Sequence, residues 1–127
     1  MPESPDLLRG RRVLVVEDEV LVSITIENWL AEFGCEIVAV ASLLPEAIEK
    51  MNNSDFDIAV LDVNLAGELS YRIAEALTER GIPFIVATGY AAEALPESMR
   101  RSPTLQKPFD KIGLKASLRA ALATSRS

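Results

Sequence analysis

Side chains that could hold a metal ion or a phosphoryl group follow four apolar runs of the sequence. The run VLVV is followed by Glu17 and Asp18, and the run FDIAVL is followed by Asp62. Two later runs end at the hydroxyl of Thr88 and the ammonium of Lys107. Crowded like charges repel each other, so the acids must either be solvated or lie next to a positive group.

The types of these side chains favour a hard cation and phosphoryl chemistry. The chain contains no histidine, which excludes Ser-His and Cys-His catalysis, histidine-ligated zinc and a phosphohistidine carrier. Clustered oxygen ligands suit Mg²⁺, which takes few protein ligands and keeps several waters. A carboxylate beside bound Mg²⁺ can act as a nucleophile towards a phosphoryl group. Thr88 and Lys107 could then contact phosphoryl oxygens.

Size and composition indicate one acidic domain. The 127 residues suit a single compact unit, nearly half of them are apolar, and the net charge is −6. The negative charge argues against a nucleic-acid partner, and no apolar run is long enough to cross a membrane. The N-terminus lacks the layout of a secretory signal, so a cytoplasmic location is expected. Cys35, the single cysteine, is interpreted as a small core side chain.

The positions of the strands and helices follow from hydrophobic periodicity. Five continuous apolar runs predict strands, and they alternate with amphipathic helices. Continuous runs indicate strands buried on both faces, hence a parallel sheet with helices on each side. Ligands of such sheets bind beyond the carboxyl ends of the strands. The predicted strands are RRVLVV, EIVAVAS, FDIAVLD, IPFIVATG and TLQK.

The segments between the strands include helices, a loop and a segment with only a weak helical pattern. The first helix carries an apolar stripe that includes Trp29 and Phe33, and the third is predicted to begin near Leu69. VNLAGEL is expected to be a loop, and YAAEALPESMRRSP to contain a short, weak helix at most. No glycine-rich phosphate loop follows the first strand, which disfavours nucleotide binding. Residues 1–10 are expected to form a flexible tail, residues 11–123 the domain and residues 124–127 a C-terminal tail.

Four motifs in this order resemble the receiver domain of two-component response regulators. They are VVEDE, VLDVNL, ATG and QKPF, and the resemblance covers roughly residues 11–123. It implies an α/β flavodoxin-like fold whose five-stranded parallel sheet has the order 2-1-3-4-5. It also implies a signalling domain that is not an enzyme in the ordinary sense, although it assists its own phosphorylation and dephosphorylation.

The resemblance assigns a role to each strand-end residue. It makes Asp62 the acceptor of a phosphoryl group from a sensor histidine kinase or phosphotransfer protein. Mg²⁺ would be held by Glu17, Asp18, Asp62 and the backbone carbonyl of Asn64, while Thr88 and Lys107 would bind the phosphoryl group. The peptide bond between Lys107 and Pro108 is expected to be cis, as in the family.

The sequence departs from the common receiver pattern at positions around the conformational switch. Ala66 stands where many receivers have proline, and Gly89 follows the threonine where alanine is frequent. Thr104 takes the place of the usual aromatic residue, whereas an aromatic appears at Tyr90 within PFIVATGY. This pattern resembles the atypical receivers named FATGUY. The expected switch therefore involves Thr88, Gly89, Tyr90 and Thr104, although a tyrosine fixed near the surface is an open alternative.

Three functions compete for this sequence. The first is a phosphorylated receiver that signals through an unknown protein partner or drains phosphate from a kinase, since no output domain is expected after the last helix. The second is a degenerate receiver that binds proteins without phosphorylation. The third is a magnesium-dependent hydrolase, but Asn64 stands where such phosphatases need an acid.

Glu19 is interpreted as an acid favoured by the helix dipole at the start of the first helix.

Overall fold

Strands and helices alternate along the chain in the computed structural model, which describes residues 6–89 and 94–124. The strands are β1 (Arg12–Val16), β2 (Glu36–Ala41), β3 (Ile58–Asp62), β4 (Asn64–Leu65), β5 (Glu68–Leu69), β6 (Phe84–Thr88) and β7 (Thr104–Gln106). The helices are α1 (Val20–Glu32), α2 (Leu44–Asn53), α3 (Tyr71–Glu79), α4 (Glu97–Arg100) and α5 (Lys111–Thr124).

The main sheet has five parallel strands in the order β2-β1-β3-β6-β7. Without the two short strands β4 and β5, this is the predicted order 2-1-3-4-5, so the predicted flavodoxin-like fold is confirmed. Because all five strands run in the same direction, their carboxyl ends meet at one edge of the sheet. The side chains at or just after the ends of β1, β3, β6 and β7 are therefore brought together there.

The apolar core consists of two layers, one on each face of the sheet. Along β1 the side chains alternate, because successive strand residues point to opposite faces. Leu14 and Val16 enter the layer covered by α2, α3 and α4, whereas Val13 and Val15 enter the layer covered by α1 and α5. Burial on both faces explains why the strand sequences are continuous apolar runs.

The segment VNLAGEL forms a β-hairpin where a loop was predicted. β4 and β5 pair antiparallel, with Asn64 opposite Leu69, across a turn in which Ala66 and Gly67 have φ of 53° and 93°. Two central residues with positive φ are typical of the tight hairpin turns that match the strand twist. The prediction that Leu69 belongs to the third helix was wrong, because it lies in β5 and α3 begins at Tyr71.

Part of the segment assigned to the flexible N-terminal tail is packed against the domain. Leu8 is 1% exposed and belongs to the layer under α1 and α5. The amide of Gly10 donates a hydrogen bond to the carbonyl of Gly34 at 2.7 Å, and Arg11 Nε donates to the carbonyl of Leu7 at 2.7 Å. Burial of an apolar side chain stabilises the folded state, so Leu8 ties the end of this segment to the domain.

The short helix expected before the last strand is α4, which has four residues and is anchored by the buried side chain of Met99. Tyr90, proposed above as a switch aromatic, lies outside the described residues. Among the helices that the structure describes, none has the length and apolar character needed to cross a membrane.

Candidate functional site

The carboxyl edge of the sheet brings together the side chains selected from the sequence. Glu17 follows β1 and is 2% exposed, and Asp62 is the last residue of β3 and is 5% exposed. Thr88 ends β6 and is buried, and Lys107 follows β7. The amide of Lys107 donates a hydrogen bond to the carbonyl of Thr88 at 2.7 Å, which holds the ends of β6 and β7 together.

Glu17, Asp18 and Asp62 form an acidic cluster that could hold a metal ion. One carboxylate oxygen from each lies within 4.8 Å of the others. Glu17 Oε1 is buried and accepts no hydrogen bond from the described residues, although the ammonium of Lys107 lies 3.2 Å away. A buried oxygen that lacks a hydrogen-bond donor, within a group of oxygen ligands free of His and Cys, fits a hard divalent cation.

Lys107 provides the positive charge of the site. Its Nζ lies 3.2 Å from Glu17 Oε1, 3.1 Å from Glu19 Oε1 and 3.2 Å from Asp62 Oδ2. Burial alone lowers the pKa of this ammonium, but attraction to Asp62 and Glu17 outweighs it, and the net pKa is raised. Lys107 therefore stays protonated at neutral pH and partly compensates three carboxylates.

Asp62 lies in surroundings that oppose its negative charge. Burial, followed by the contact with Glu17, raises the pKa of Asp62 to about 7, although Lys107 acts in the opposite direction. Four carboxylates, those of the acidic cluster and of Glu19, surround the single ammonium of Lys107, which cannot balance them all. This imbalance is what an added divalent cation would correct.

The backbone around Asp62 is held by hydrogen bonds that the sequence did not predict. Ser70 is fully buried, and its hydroxyl donates to the carbonyls of Asp62 at 2.5 Å and Val63 at 3.1 Å. The amide of Asn64 lies 3.4 Å from Asp62 Oδ1. The sequence pattern predicts that Ser70 lies inside the third helix, which gives no indication of this role.

The hairpin contributes directly to the acidic cluster. The amide of Ala66 donates a hydrogen bond to Asp18 Oδ2 at 2.9 Å, and the amide of Gly67 donates to Asn64 Oδ1 at 2.8 Å. Asn64, whose backbone carbonyl is a predicted metal ligand, is the first residue of β4. The hairpin thus carries one predicted ligand and orients another.

Glu19 occupies the position before α1 that the sequence predicted, but with a different contact. Its carboxylate makes no capping hydrogen bond and instead lies 3.1 Å from Lys107 Nζ. Its own amide donates to Glu17 Oε2 at 3.1 Å. No sequence pattern could have indicated a pairing between side chains 88 positions apart.

The predicted switch residues are described only in part. Thr104 pairs with Val86 in the sheet, and its hydroxyl donates to the carbonyl of Ser102 at 3.3 Å. Gly89 is exposed, and a Cβ built on it would meet nothing within 4 Å. The described conformation therefore does not itself require glycine at this position. The peptide bond between Lys107 and Pro108 is cis, the configuration expected from the sequence.

Two members of the acidic cluster, Asp18 and Asp62, line an open cleft with a volume of about 380 Å³. Its walls include Asp18, Asp62, Thr88 and Lys107. Two carboxylates of the acidic cluster, a hydroxyl and an ammonium therefore face one space. This combination can accept a phosphoryl group and balance its charge.

Comparisons with known proteins agree with this geometry. The family model for the response regulator receiver domain matches residues 13–119. The transcriptional regulatory protein PdtaR of Mycobacterium tuberculosis is 30% identical over 120 residues, which cover 91% of this chain and 58% of PdtaR. This chain therefore spans little more than half of that relative.

Solved structures give the same result. The solution structure of SdrG from Sphingomonas melonis has 37% identity and a TM-score of 0.79, and the match covers 90% of this chain and 97% of SdrG. The response regulator PhyR of Brucella abortus has 28% identity and a TM-score of 0.80, with 94% of this chain and 51% of PhyR covered. The chain thus belongs to the family of response regulator receiver domains.

Proposed function

We propose that the chain accepts a phosphoryl group on Asp62 from a sensor histidine kinase or a phosphotransfer protein. The observation that carries this proposal is the position of the Asp62 carboxylate. It is buried at the end of β3, within 4.8 Å of two further carboxylates, and its Oδ2 lies 3.2 Å from Lys107 Nζ. Membership of the receiver family supports the same role.

The proposal includes Mg²⁺ as cofactor. The carboxylates of Glu17, Asp18 and Asp62, together with the backbone carbonyl of Asn64, would hold it. When bound, Mg²⁺ would neutralise these carboxylates and the charge on the transferred phosphoryl group. The buried Oε1 of Glu17, which accepts no hydrogen bond from the described residues, and the raised pKa of Asp62 support a site that is completed by a cation.

Asp62 acts as the nucleophile in the proposed transfer. A carboxylate oxygen of Asp62 forms a bond to phosphorus, while the bond between phosphorus and the donor imidazole nitrogen breaks and its electron pair stays on the nitrogen. The product is an acyl phosphate on Asp62. Lys107 and the hydroxyl of Thr88 then contact the phosphoryl oxygens, which lowers the free energy of the charged product.

The proposed output is altered binding of a protein partner, or removal of phosphate from the kinase. The segment that follows Thr88, including Gly89 and Tyr90, is the proposed switch, since it connects the phosphoryl site to α4. The chain is proposed to be a signalling domain that assists its own phosphorylation and dephosphorylation rather than an enzyme acting on other substrates.

Intact-mass measurement after incubation with Mg²⁺ and acetyl phosphate tests the proposal. The wild-type protein is expected to gain one phosphoryl group, and chelation of Mg²⁺ should prevent the gain. Asp62→Asn should not be modified. Asp55→Asn is the matched control, because Asp55 is exposed and precedes β3, at the opposite end of the strand from the cleft.

Each result of this experiment selects one function. If the wild-type protein gains no mass with Mg²⁺ present, the alternative of a phosphorylation-independent interaction module is favoured. If Asp62→Asn gains as much mass as the Asp55→Asn control, the acceptor is another residue. If modification persists without Mg²⁺, the role of the acidic cluster as a metal site is wrong.

A further inference from the structure

The ammonium of Lys107 contacts a carboxylate that does not belong to the acidic metal cluster. Glu17 and Asp62 are members of that cluster, and a bound cation would share their charge. Glu19 lies outside the cluster, is 60% exposed, and has its Oε1 3.1 Å from Lys107 Nζ. With a cation in place, Glu19 is therefore the partner that keeps its full attraction for Lys107.

The ion pair between Glu19 and Lys107 separates two cavities. Both residues line the cleft that contains Asp62 and Thr88. Both also line a neighbouring apolar groove of about 480 Å³, whose walls include Trp29 and Phe109. The pair is thus the shared wall between the phosphoryl site and the groove, and movement of Lys107 towards the phosphoryl site would change that wall.

We propose that Glu19 is a positioning residue that binds the ammonium of Lys107 in the wall of the cleft and competes with the phosphoryl group for it. This inference rests on the proposed function, because it concerns the same site. In the unmodified protein the lysine is shared among three carboxylates. After transfer to Asp62 the phosphoryl oxygens need the ammonium, and Glu19 has to release it.

The carboxylate of Glu19 opposes phosphorylation in two ways. It retains the ammonium that would stabilise the product, and it places a negative charge at the mouth of the cleft through which an anionic donor enters. A partly exposed ion pair contributes of the order of 1 kcal/mol. A free-energy difference of about 1.4 kcal/mol corresponds to a factor of ten. Removal of the Glu19 charge is therefore expected to accelerate modification of Asp62 by roughly three- to tenfold.

The first test observes Lys107 directly in the unmodified protein. The variants are Glu19→Gln and, as a matched control, Glu36→Gln, which removes the same charge at the opposite end of the sheet, where β2 begins. NMR spectra of ¹⁵N-labelled lysine ammonium groups report how well each ammonium is held, and loss of the signal in Lys107→Ala identifies Lys107. The signal is expected to shift and exchange faster in Glu19→Gln, and to be unchanged in Glu36→Gln.

The second test measures modification by acetyl phosphate, followed by intact mass at several donor concentrations. Glu19→Gln is expected to raise the second-order rate constant of modification by roughly three- to tenfold, with Glu36→Gln equal to wild type. Damage to the fold would lower the rate, so an increase cannot come from a merely structural defect. Beryllofluoride, a mimic of the phosphoryl group, is expected to bind more tightly to Glu19→Gln by a similar factor.

Each combination of results decides the proposal. An unchanged Lys107 signal in Glu19→Gln overturns the positioning role, whatever the rates are. A changed signal with an unchanged or lower rate overturns the competition with the phosphoryl group. If the wild-type protein gains no phosphoryl group at all, the proposed function fails, and the ammonium spectra still decide whether Glu19 positions Lys107.

Discussion

The surroundings of Asp62 suit the proposed role of phosphoryl acceptor, but they do not stabilise the folded state. Its carboxylate is buried beside that of Glu17, and one ammonium cannot balance the three carboxylates of the cluster and Glu19 together. Burial first, and then the contact with Glu17, raises the pKa of Asp62 to about 7, so the folded state disfavours its charged form. Clustered like charges of this kind raise the free energy of the folded state unless a ligand neutralises them.

Replacing the acceptor should therefore stabilise the metal-free protein. Asp62→Asn removes one buried negative charge and keeps the shape of the side chain. We expect its free energy of unfolding at pH 8 in the presence of a chelator to exceed that of wild type by about 1–2 kcal/mol. Urea denaturation measures the difference, with Asp55→Asn as the control. Equal or lower stability of Asp62→Asn would show that Lys107 already compensates the cluster.

The residues that could be predicted from the sequence are those whose role follows from strand position. Asp62, Thr88 and Lys107 each lie at or just after the end of an apolar run, and parallel strands bring such ends together. Glu19 and Ser70 could not be predicted in the same way. Their roles depend on side-chain directions in the folded protein, where Glu19 reaches Lys107 and Ser70 reaches the backbone of β3.

At the scale of elements, the hairpin of β4 and β5 determines how Asp18 is held. Ala66 has a φ of 53°, in the left-handed region, and its amide donates to Asp18 Oδ2. Proline, which many receivers carry here, has no amide hydrogen and a φ near −65°. The absence of proline is thus required by this hairpin. The hairpin could not be predicted from the sequence, because Ala-Gly lacks the asparagine or aspartate usual in such turns.

Two substitutions at Ala66 should have opposite effects on stability. Ala66→Gly keeps the amide and removes the strain of a left-handed alanine, so we expect a gain of up to about 1 kcal/mol, reduced by the greater freedom of the unfolded chain. Ala66→Pro removes the hydrogen bond to Asp18 and cannot adopt this φ, so we expect a loss of about 2 kcal/mol or more. Thermal unfolding measures both. Equal stability of the two variants would mean that the hairpin does not persist in solution.

β1 and the segment before β3 are joined by an ion pair at the end of the sheet opposite the cleft. Asp57 Oδ2 accepts the amide of Arg12 at 2.8 Å, and Asp57 Oδ1 lies 3.2 Å from the guanidinium. Hydrogen bonding to the Arg12 side chain holds the pKa of Asp57 below its ordinary value of 3.8. The folded state therefore favours the ionised carboxylate.

The pH dependence of Asp57→Asn follows from this shift. A carboxyl group whose pKa is lower in the folded state than in the unfolded state stabilises the protein at pH values above its unfolded-state pKa. This stabilisation is lost as the pH falls through the folded-state pKa. We expect Asp57→Asn to be less stable than wild type at pH 7. The difference should shrink as the pH falls from 3.8 through the lower folded-state value. Urea midpoints across this range measure it, and a difference independent of pH would attribute the effect to packing.

At the scale of the whole molecule, both core layers are built on the same central strands. β1 and β3 each send alternate side chains into the two layers, for example Leu61 into one and Val60 into the other. This arrangement could be predicted, since continuous apolar runs require burial on both faces. The packing of Leu8 could not, because two adjacent leucines among polar residues give no periodic signal.

Shared central strands imply that the two layers unfold together. Leu77 on α3 and Leu118 on α5 are both fully buried, one in each layer. We expect each leucine-to-alanine substitution to cost about 3 kcal/mol, from lost burial and the cavity left behind. Trp29 packs against the layer that contains Leu118, so its fluorescence reports on that layer, whereas far-UV circular dichroism reports on helices of both.

The decisive observation is the response of Trp29 to the substitution in the other layer. If unfolding is cooperative, Leu77→Ala should move the Trp29 transition in urea by the same amount as the circular dichroism transition, and Leu118→Ala should do likewise. A Trp29 midpoint that stays at the wild-type value in Leu77→Ala, with a two-step circular dichroism curve, would show that the layers unfold separately. A loss of stability in one layer would then leave the other layer unaffected, although β1 and β3 have side chains in both layers.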